Sequence, residues 1–346
     1  MTTFGRSIFI AGVLALGIAL PGAGAQAADF TIRASHGEAA DSALHKGWQV
    51  FEAYVEGASA GRIDVEISPA GQLGSMVDAL EQTKVGAIQV AHGDEQTLSR
   101  FYKPMMILAT PYLFGNDQEG MAFVSGDFFM KVREEMAAES GLRLLSAASY
   151  GFRNFTNNKH PIKSAADMEG LRMRVPPSPM SLEMVKAMGG SPTPVPWEEL
   201  YGAMQTGVVD GQENPTGVIL DYSFYQVQKY LIVDNHQLGL NTMVMNEAFF
   251  QSLPVELREV VMTGAQMAAE TEYGERNYQA RVSAIDALRE KGMEIHFPSP
   301  DEVATFRDAV KEPIRAYLES ELDADFVAAV YDEIDRMREA SKAAVQ

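Results

Sequence analysis

The sequence contains no cysteine. That absence removes disulfides, thiolate metal sites and thiol nucleophiles together. It also excludes a lipid-anchored lipoprotein, which needs a cysteine after its leader. Positive charge is scarce: 28 Lys and Arg stand against 47 Asp and Glu, a formal net charge of −19. Such a surface repels nucleic acid and anionic lipid, so no nucleic-acid partner is expected. Any anion site must then be a local basic pocket inside a repulsive field. After the first residues, no apolar run reaches the roughly 20 residues a bilayer span requires, so no direct membrane insertion is expected. Catalytic signatures are missing too. The six histidines, His36, His45, His92, His160, His236 and His296, include no pair at the i, i+4 spacing of a helical zinc site. There is no Gly-x-Ser-x-Gly elbow, no phosphate loop and no dinucleotide fingerprint. Neighbouring carboxylates, Asp94-Glu95 and Glu198-Glu199, occur as they do on many surfaces. No metal and no cofactor is expected, and an enzyme is the least favoured class.

What is present begins with a leader. Arg6 supplies a positive start, Ile8 to Leu20 an apolar run, Pro21-Gly22 its end and Ala25-Gln26-Ala27 a cleavage pattern. Residues 1–27 therefore read as a secretory signal peptide, cleaved near Ala27. The remainder suits two lobes of roughly 150 residues each.

Past the leader, strand-like and helix-like segments alternate. Phe30 to Ala34 and Ile63 to Ile67 alternate with period two. Leu44, Trp48, Phe51 and Val55 recur at helical spacing, which places Trp48 in a core. Ser75 reads as the N-cap of a helix through Lys84, and Ala87 to Ala91 as a short strand. Leu142 to Leu145 is apolar, but Gly151 to Asn158 is polar and reads as irregular. Leu171 to Val175 is a strand that Pro176-Pro177 stops. Ser178 and Ser181 start a helix, and Trp197 to Gln205 is another. Val208-Val209-Asp210-Gly211 follows. Phe306, Val310, Ile314 and Leu318 form one helix stripe; Phe326, Val330, Ile334 and Met337 form a second. This alternation predicts α/β lobes with mainly parallel sheets. The absence of a linker predicts that the chain crosses between lobes more than once.

Several blocks then carry a resemblance. They are Gly151-Phe152-Arg153-Asn154-Phe155-Thr156-Asn157, Asp167-Met168-Glu169-Gly170-Leu171-Arg172-Met173-Arg174-Val175-Pro176, Gly189-Gly190-Ser191-Pro192-Thr193-Pro194, and Met204-Gln205-Thr206-Gly207-Val208-Val209-Asp210-Gly211-Gln212-Glu213-Asn214-Pro215. With Pro69 to Gly74 and Thr110 to Phe114, they make the chain similar to the DctP-type solute-binding proteins of TRAP transporters, the tripartite ATP-independent periplasmic uptake systems. The likeness implies a two-lobed α/β periplasmic binding protein with a hinged cleft and a long lobe-connecting helix. The first lobe would be 28–150 plus 240–279, the second 151–239 plus 280–346. It implies a monomeric receptor, not an enzyme, that captures a small organic anion in the periplasm. The solute would pass to the small and large membrane subunits of a TRAP permease. A sensory receptor for a signalling system is the alternative.

The likeness also assigns residues. Arg174 falls on the anion-clamping arginine, where a planar guanidinium offers two parallel donors. Arg153 falls on a second pocket arginine, the other reading being an inter-lobe salt bridge. Asn214 falls on a pocket asparagine, the other reading being a turn residue. Trp197 falls on a pocket aromatic, the other reading being lobe packing. Ser35 and His36 end the first strand where relatives place a polar contact. Asp94 sits where some relatives carry an acidic residue, with His92 two residues earlier; Asp94 is alternatively an exposed loop charge, and His36 and His92 structural groups. Gln212 and Glu213 are read as lobe-stabilising. Pro177 and Thr97 replace an asparagine and an arginine of sialate-binding members, which argues against sialic acid. A monoanion bearing hydroxyl or amino groups fits better than a C4-dicarboxylate. Hydroxy or keto acids, sugar acids, ectoine-like zwitterions and small sulfonates stay open.

Overall fold

The structure is a computed structural model and describes residues 1–2, 27–278 and 283–345. The leader expected over residues 1–27 therefore lies almost wholly outside the described residues. The fold is a mixed α/β, two-lobed binding-protein fold built on one sheet of ten strands. They are β1 (Phe30–Ser35), β2 (Ile63–Ser68), β3 (Val90–Asp94), β4 (Leu142–Asn157), β5 (Arg172–Val175), β6 (Ser191–Pro194), β7 (Gly211–Pro215), β8 (Tyr230–Ile232), β9 (Gln237–Asn246) and β10 (Glu294–His296). The order is β2-β1-β3-β9-β4-β7-β5-β6, and β8 joins β4 to β10 off this path. Pairing is parallel towards both ends, β1 with β2 and β3, and β5 with β6 and β7. It is antiparallel in the middle, where β9 pairs β3 and β4, and β4 pairs β7. β4 and β9 run alongside each other between the two ends, and so carry the chain from one lobe to the other.

Local sequence accounts for much of this. The helix Ala43–Ala58 buries Leu44, Trp48, Phe51 and Val55, with Ser42 capping its start. Ser75 and Asp78 form a capping box on the helix Met76–Lys84, satisfying two otherwise orphaned backbone donors. Ser178 stands before the helix Pro179–Ala187. Trp197–Glu199 is a tight 3-10 turn that leads into the helix Leu200–Gln205. Gly211 is required by packing: a Cβ there would lie 2.2 Å from Thr156 O and 2.8 Å from the Met173 sulfur. Only glycine lets β7 enter between β4 and β5 so closely.

Three strands differ from expectation. β3 begins at Val90, because Ala87 and Ile88 turn back onto Gln82 O, and it continues through His92-Gly93-Asp94. The polar stretch expected to be irregular after Gly151 is the second half of β4. The segment after Val209 is strand only from Gly211 onward. In all three, the strand runs on through polar residues because these are buried where the lobes meet.

The long helix Val255–Tyr278 packs on the helix Ala43–Ala58 and on β4. Near the C-terminus the helices Pro300–Glu321 and Ala324–Val345 use the two stripes read from sequence. Phe306, Val310, Ile314, Leu318, Val330 and Ile334 are buried, and Phe326 and Met337 pack beside them. The first of these helices packs on Pro179–Ala187. The second reaches the expected first lobe: Phe326 stacks on Phe128, and Arg338 pairs with Glu119. The final helix thus also touches the segment around residues 119–128.

Candidate functional site

A cleft of about 470 Å³ of empty space, mouth included, opens where β3, β4, β5, β7 and β9 converge. Six of the residues nominated from sequence line it: Arg174, Arg153, Asn214, Trp197, Asp94 and His92. Ser35 and His36 do not. They are buried behind it, with His36 Nε2 2.9 Å from His45 Nδ1 and its ring edge-on to Trp48. Burial, with His92 next, pushes the His36 ring down to about 3, which suits a neutral structural group. The chain turns just after it, and Gly37 and Glu38 reach the cleft instead.

The two arginines differ sharply. Arg153, on β4, is bound by its own surroundings. Its Nε donates to Glu213 Oε2 and its Nη1 to the Tyr150 hydroxyl. Its Nη2 donates to Glu213 Oε1 at 2.7 Å and to Glu213 O at 2.8 Å. Burial would raise the Glu213 carboxyl, but the Arg153 charge and the bonds from His236 and Arg153 overcome it and hold it at about 2. His236 closes the cluster, with Nδ1 3.0 Å from Asp234 and Nε2 3.4 Å from Glu213. Burial would lower that ring, but Asp234 and Glu213 raise it to about 9, so it is protonated at neutral pH. Arg153 and Glu213 come from the adjacent strands β4 and β7, so this pair is built within the sheet. A glycine supports it: a Cβ at Gly239 would lie 2.5 Å from the Tyr150 ring, whose hydroxyl takes the Arg153 bond.

Arg174, on β5, is also buried, at 1% exposure. Its Nε donates to Val195 O at 2.8 Å, and it has no carboxylate partner among the described residues. Burial lowers it to about 10, so the guanidinium stays charged. Its two terminal nitrogens make no hydrogen bond among the described residues, and the nearby Glu213 and Asp94 carboxylates only partly offset the burial of its charge. Beside it, Asn214 gives one amide N–H to Gln212 Oε1 at 2.6 Å, and Gln212 in turn donates to Thr156. Trp197 lies over the opening, edge-on to Tyr222 at 4.7 Å and 5.9 Å from Phe224.

The opposite wall is rich in acceptors. Asp94 caps the short helix that follows it through Thr97 N at 2.6 Å. Asn241 Nδ2 donates to Glu272 at 2.5 Å and faces Glu38 at 3.3 Å, so its Oδ1 accepts from His92 Nε2 at 3.0 Å. His92 Nδ1 has no partner among the described residues, and in the neutral ring it is an acceptor. Burial would raise Glu38, but Arg276 outweighs it and holds this carboxylate low. Burial and Glu38 push Glu272 up to about 8. Glu38, Tyr150, Asn241 and Arg276 escaped the sequence reading. Tyr150 adjoined a recognised block, three residues before Arg153; the others come from segments with no distinguishing pattern. Among the described residues no cluster of His, Asp and Glu is suited to a metal, and no helix is long and apolar enough to cross a membrane.

A buried cation facing an acceptor-lined wall across a cleft between two lobes defines a solute-binding protein. The chain belongs to family 7 of the bacterial extracellular solute-binding proteins, the DctP family of TRAP receptors, which it matches over residues 34–321. It is 27% identical over 339 residues to the 2,3-diketo-L-gulonate-binding periplasmic protein YiaO of Escherichia coli K12, covering 95% of this chain and 97% of that one. Two solved TRAP-type structures superpose with TM-scores of 0.84. One, from Anaerococcus prevotii with bound D-glucuronate, is 28% identical and covers 90% of this chain and 99% of its own. The other, a sugar acid binding protein from Advenella mimigardefordensis in complex with galactonate, is 26% identical with the same coverage.

Proposed function

We propose that this protein is the periplasmic receptor of a TRAP transporter for a small organic monoanion whose far end carries hydroxyl or ammonium donors. The observation that carries this reading is the charge count of the cleft. Arg153 is neutralised by Glu213, and Glu38 by Arg276, which leaves Arg174 as the unpaired buried cation. A single carboxylate or sulfonate answers that charge with a bidentate contact. A second anionic group would have to lie towards Asp94, a cleft carboxylate with no cation paired to it among the described residues, and would be repelled. Donors at that end would instead meet Glu38 and Asp94. D-Glucuronate and galactonate, held by the two structural relatives, are monoanions with hydroxyls and belong to this class.

The receptor binds without turning its ligand over. It works in the periplasm as a monomer and passes the solute to the small and large membrane subunits of a permease driven by an ion gradient. The lobes are 28–150 plus 240–279 and 151–239 plus 280–346, with the last helix strapped across to the first lobe. Mass spectrometry of small molecules that survive purification identifies the ligand, and calorimetry with that compound tests it. At 100 times its dissociation constant it should stabilise the fold by about 2.7 kcal/mol. Succinate, as a dianion, should bind much more weakly than a hydroxylated monoanion of similar length. Equal or tighter binding of succinate would overturn the charge count, and turnover of the ligand would overturn the receptor.

A further inference from the structure

One buried cation near the cleft has no part in holding the anion. Arg276 lies near the end of the long helix Val255–Tyr278 and is 3% exposed. Its fork divides. Nη2 donates to Glu38 at 2.6 Å, on the first lobe and in the cleft wall. Nη1 donates to Asp221 at 3.2 Å, at the end of the helix Thr216–Asp221 that follows β7 in the second lobe. Next to Asp221, the Tyr222 hydroxyl accepts from Ala39 N at 3.3 Å, a second bond between the same two segments. Tyr222 also supports Trp197.

Other ion pairs between the lobes are more exposed. The Lys103 side chain is 64% exposed in its pair with Glu321, and Arg338 is 40% exposed in its pair with Glu119. Solvent screening leaves such pairs little weight. The Arg276 side chain is 2% exposed, and opening the lobes would separate it from Asp221 while Glu38 and Glu272, on its own lobe, stay beside it.

We propose that Arg276 is a positioning residue that latches the two lobes together before solute arrives, and fixes Glu38 in the cleft wall with the same side chain. Resting on the receptor reading of the cleft, this links recognition to closure. A donor group on the solute contacts Glu38, and Glu38 is held by the arginine whose other arm grips the second lobe. The empty receptor then samples the closed arrangement, and solute stabilises a state already populated.

The absence of cysteine makes the test direct. Cysteines introduced at exposed Lys84 and Gln205, one in each lobe, take spin labels, and electron–electron resonance gives the distance distribution in solute-free protein. The labelled but otherwise unchanged chain should show a short-distance closed component. Asp221→Asn, at a partly exposed position, should fold normally and reduce that component by about fivefold, while Asp221→Glu should retain most of it. Arg276→Gln should reduce it as much, and the double variant no further. An empty receptor without a closed component, or one that Asp221→Asn leaves unchanged, would overturn the latch. Because this measurement uses no solute, it fails or succeeds independently of calorimetry, whose failure would remove the receptor reading instead.

Discussion

The two walls of the cleft use the same materials in opposite ways. The wall built by β4, β5 and β7 buries two arginines, Arg153 and Arg174, on strands that flank the same neighbour. One is saturated by Glu213 and Tyr150, the other is left with a single backbone acceptor. The wall built by β3, β9 and the turn at Glu38 buries carboxylates and a histidine, and there Arg276 comes from outside to neutralise one of them. Leaving a buried group unpaired costs stability, so a fold keeps such a group only where something else supplies the partner. The difference between the arginines is one of partners: Arg153 is held by Glu213 and Tyr150, and Arg174 keeps its terminal nitrogens free for the anion the proposed function requires.

The sharpest way to break that comparison is to replace each arginine by methionine. Arg153→Met strands Glu213 in the core, and removing one partner of a buried pair typically costs about 3–5 kcal/mol. Arg174→Met removes a desolvated cation with no carboxylate partner and should leave the melting temperature of the empty protein unchanged or higher. Thermal unfolding of the two variants without solute checks this; equal losses would mean that the arginines are not different in kind.

Binding should reverse the order. Truncating a buried charge-pair partner costs roughly 2–5 kcal/mol, so Arg174→Ala should weaken capture of the co-purified ligand by at least about thirtyfold. Arg174→Lys should also bind poorly, because an ammonium lacks the fork. Calorimetry on the folded variants reads this out, and near wild-type affinity in Arg174→Ala would remove the clamp.

How much of this was legible in sequence follows from what surrounds each residue. The helix stripes, the Ser75 cap and the buried Trp48 depend on neighbours a few residues away, and they read clearly. The second half of β4 and all of β7 did not read as strands, because Arg153 and Asn214 break the apolar pattern. Those side chains are polar because they face the cleft or one another, so the strand signal fades where the site begins. Arg174 was found through the block that carries it. The partners that surround these arginines lie far along the chain: Glu213 is 60 residues from Arg153. Arg276 and Glu38 are 238 residues apart, a spacing at which no local pattern could connect them.

The scaffold cluster should also impose its own pH dependence on stability. His236 is raised from 6.5 to about 9 in the folded protein. A raised pKa contributes stability that is fully present below 6.5 and lost as pH rises through 9. From pH 6 to 8 about 2 kcal/mol should go. Glu213, held at about 2 from 4.5, works the other way: its contribution is present above 4.5 and lost as pH falls through 2. Thermal unfolding should therefore peak between about pH 4.5 and 6.5 from this cluster, and His236→Gln should flatten the alkaline fall. An unchanged alkaline limb in that variant would mean the cluster does not set it.

The smallest effect concerns Trp197, which belongs to neither charge pattern. It lies half-buried over the cleft, propped by Tyr222 and Phe224, whereas Trp48 is 3% exposed beneath His36. Only Trp197 borders the space a solute would fill. Solute should therefore change the emission of Trp197 while Trp48 stays constant, and Trp197→Phe should abolish most of the change. An aromatic contact beyond simple burial is worth about 0.5–1.5 kcal/mol. Trp197→Ala should thus lose roughly tenfold in affinity, and Trp197→Phe much less, because the flat apolar face is what a carbon skeleton meets. If Trp197→Ala binds as tightly as the parent, the ring serves only to prop the second lobe, and recognition rests on the charged walls alone.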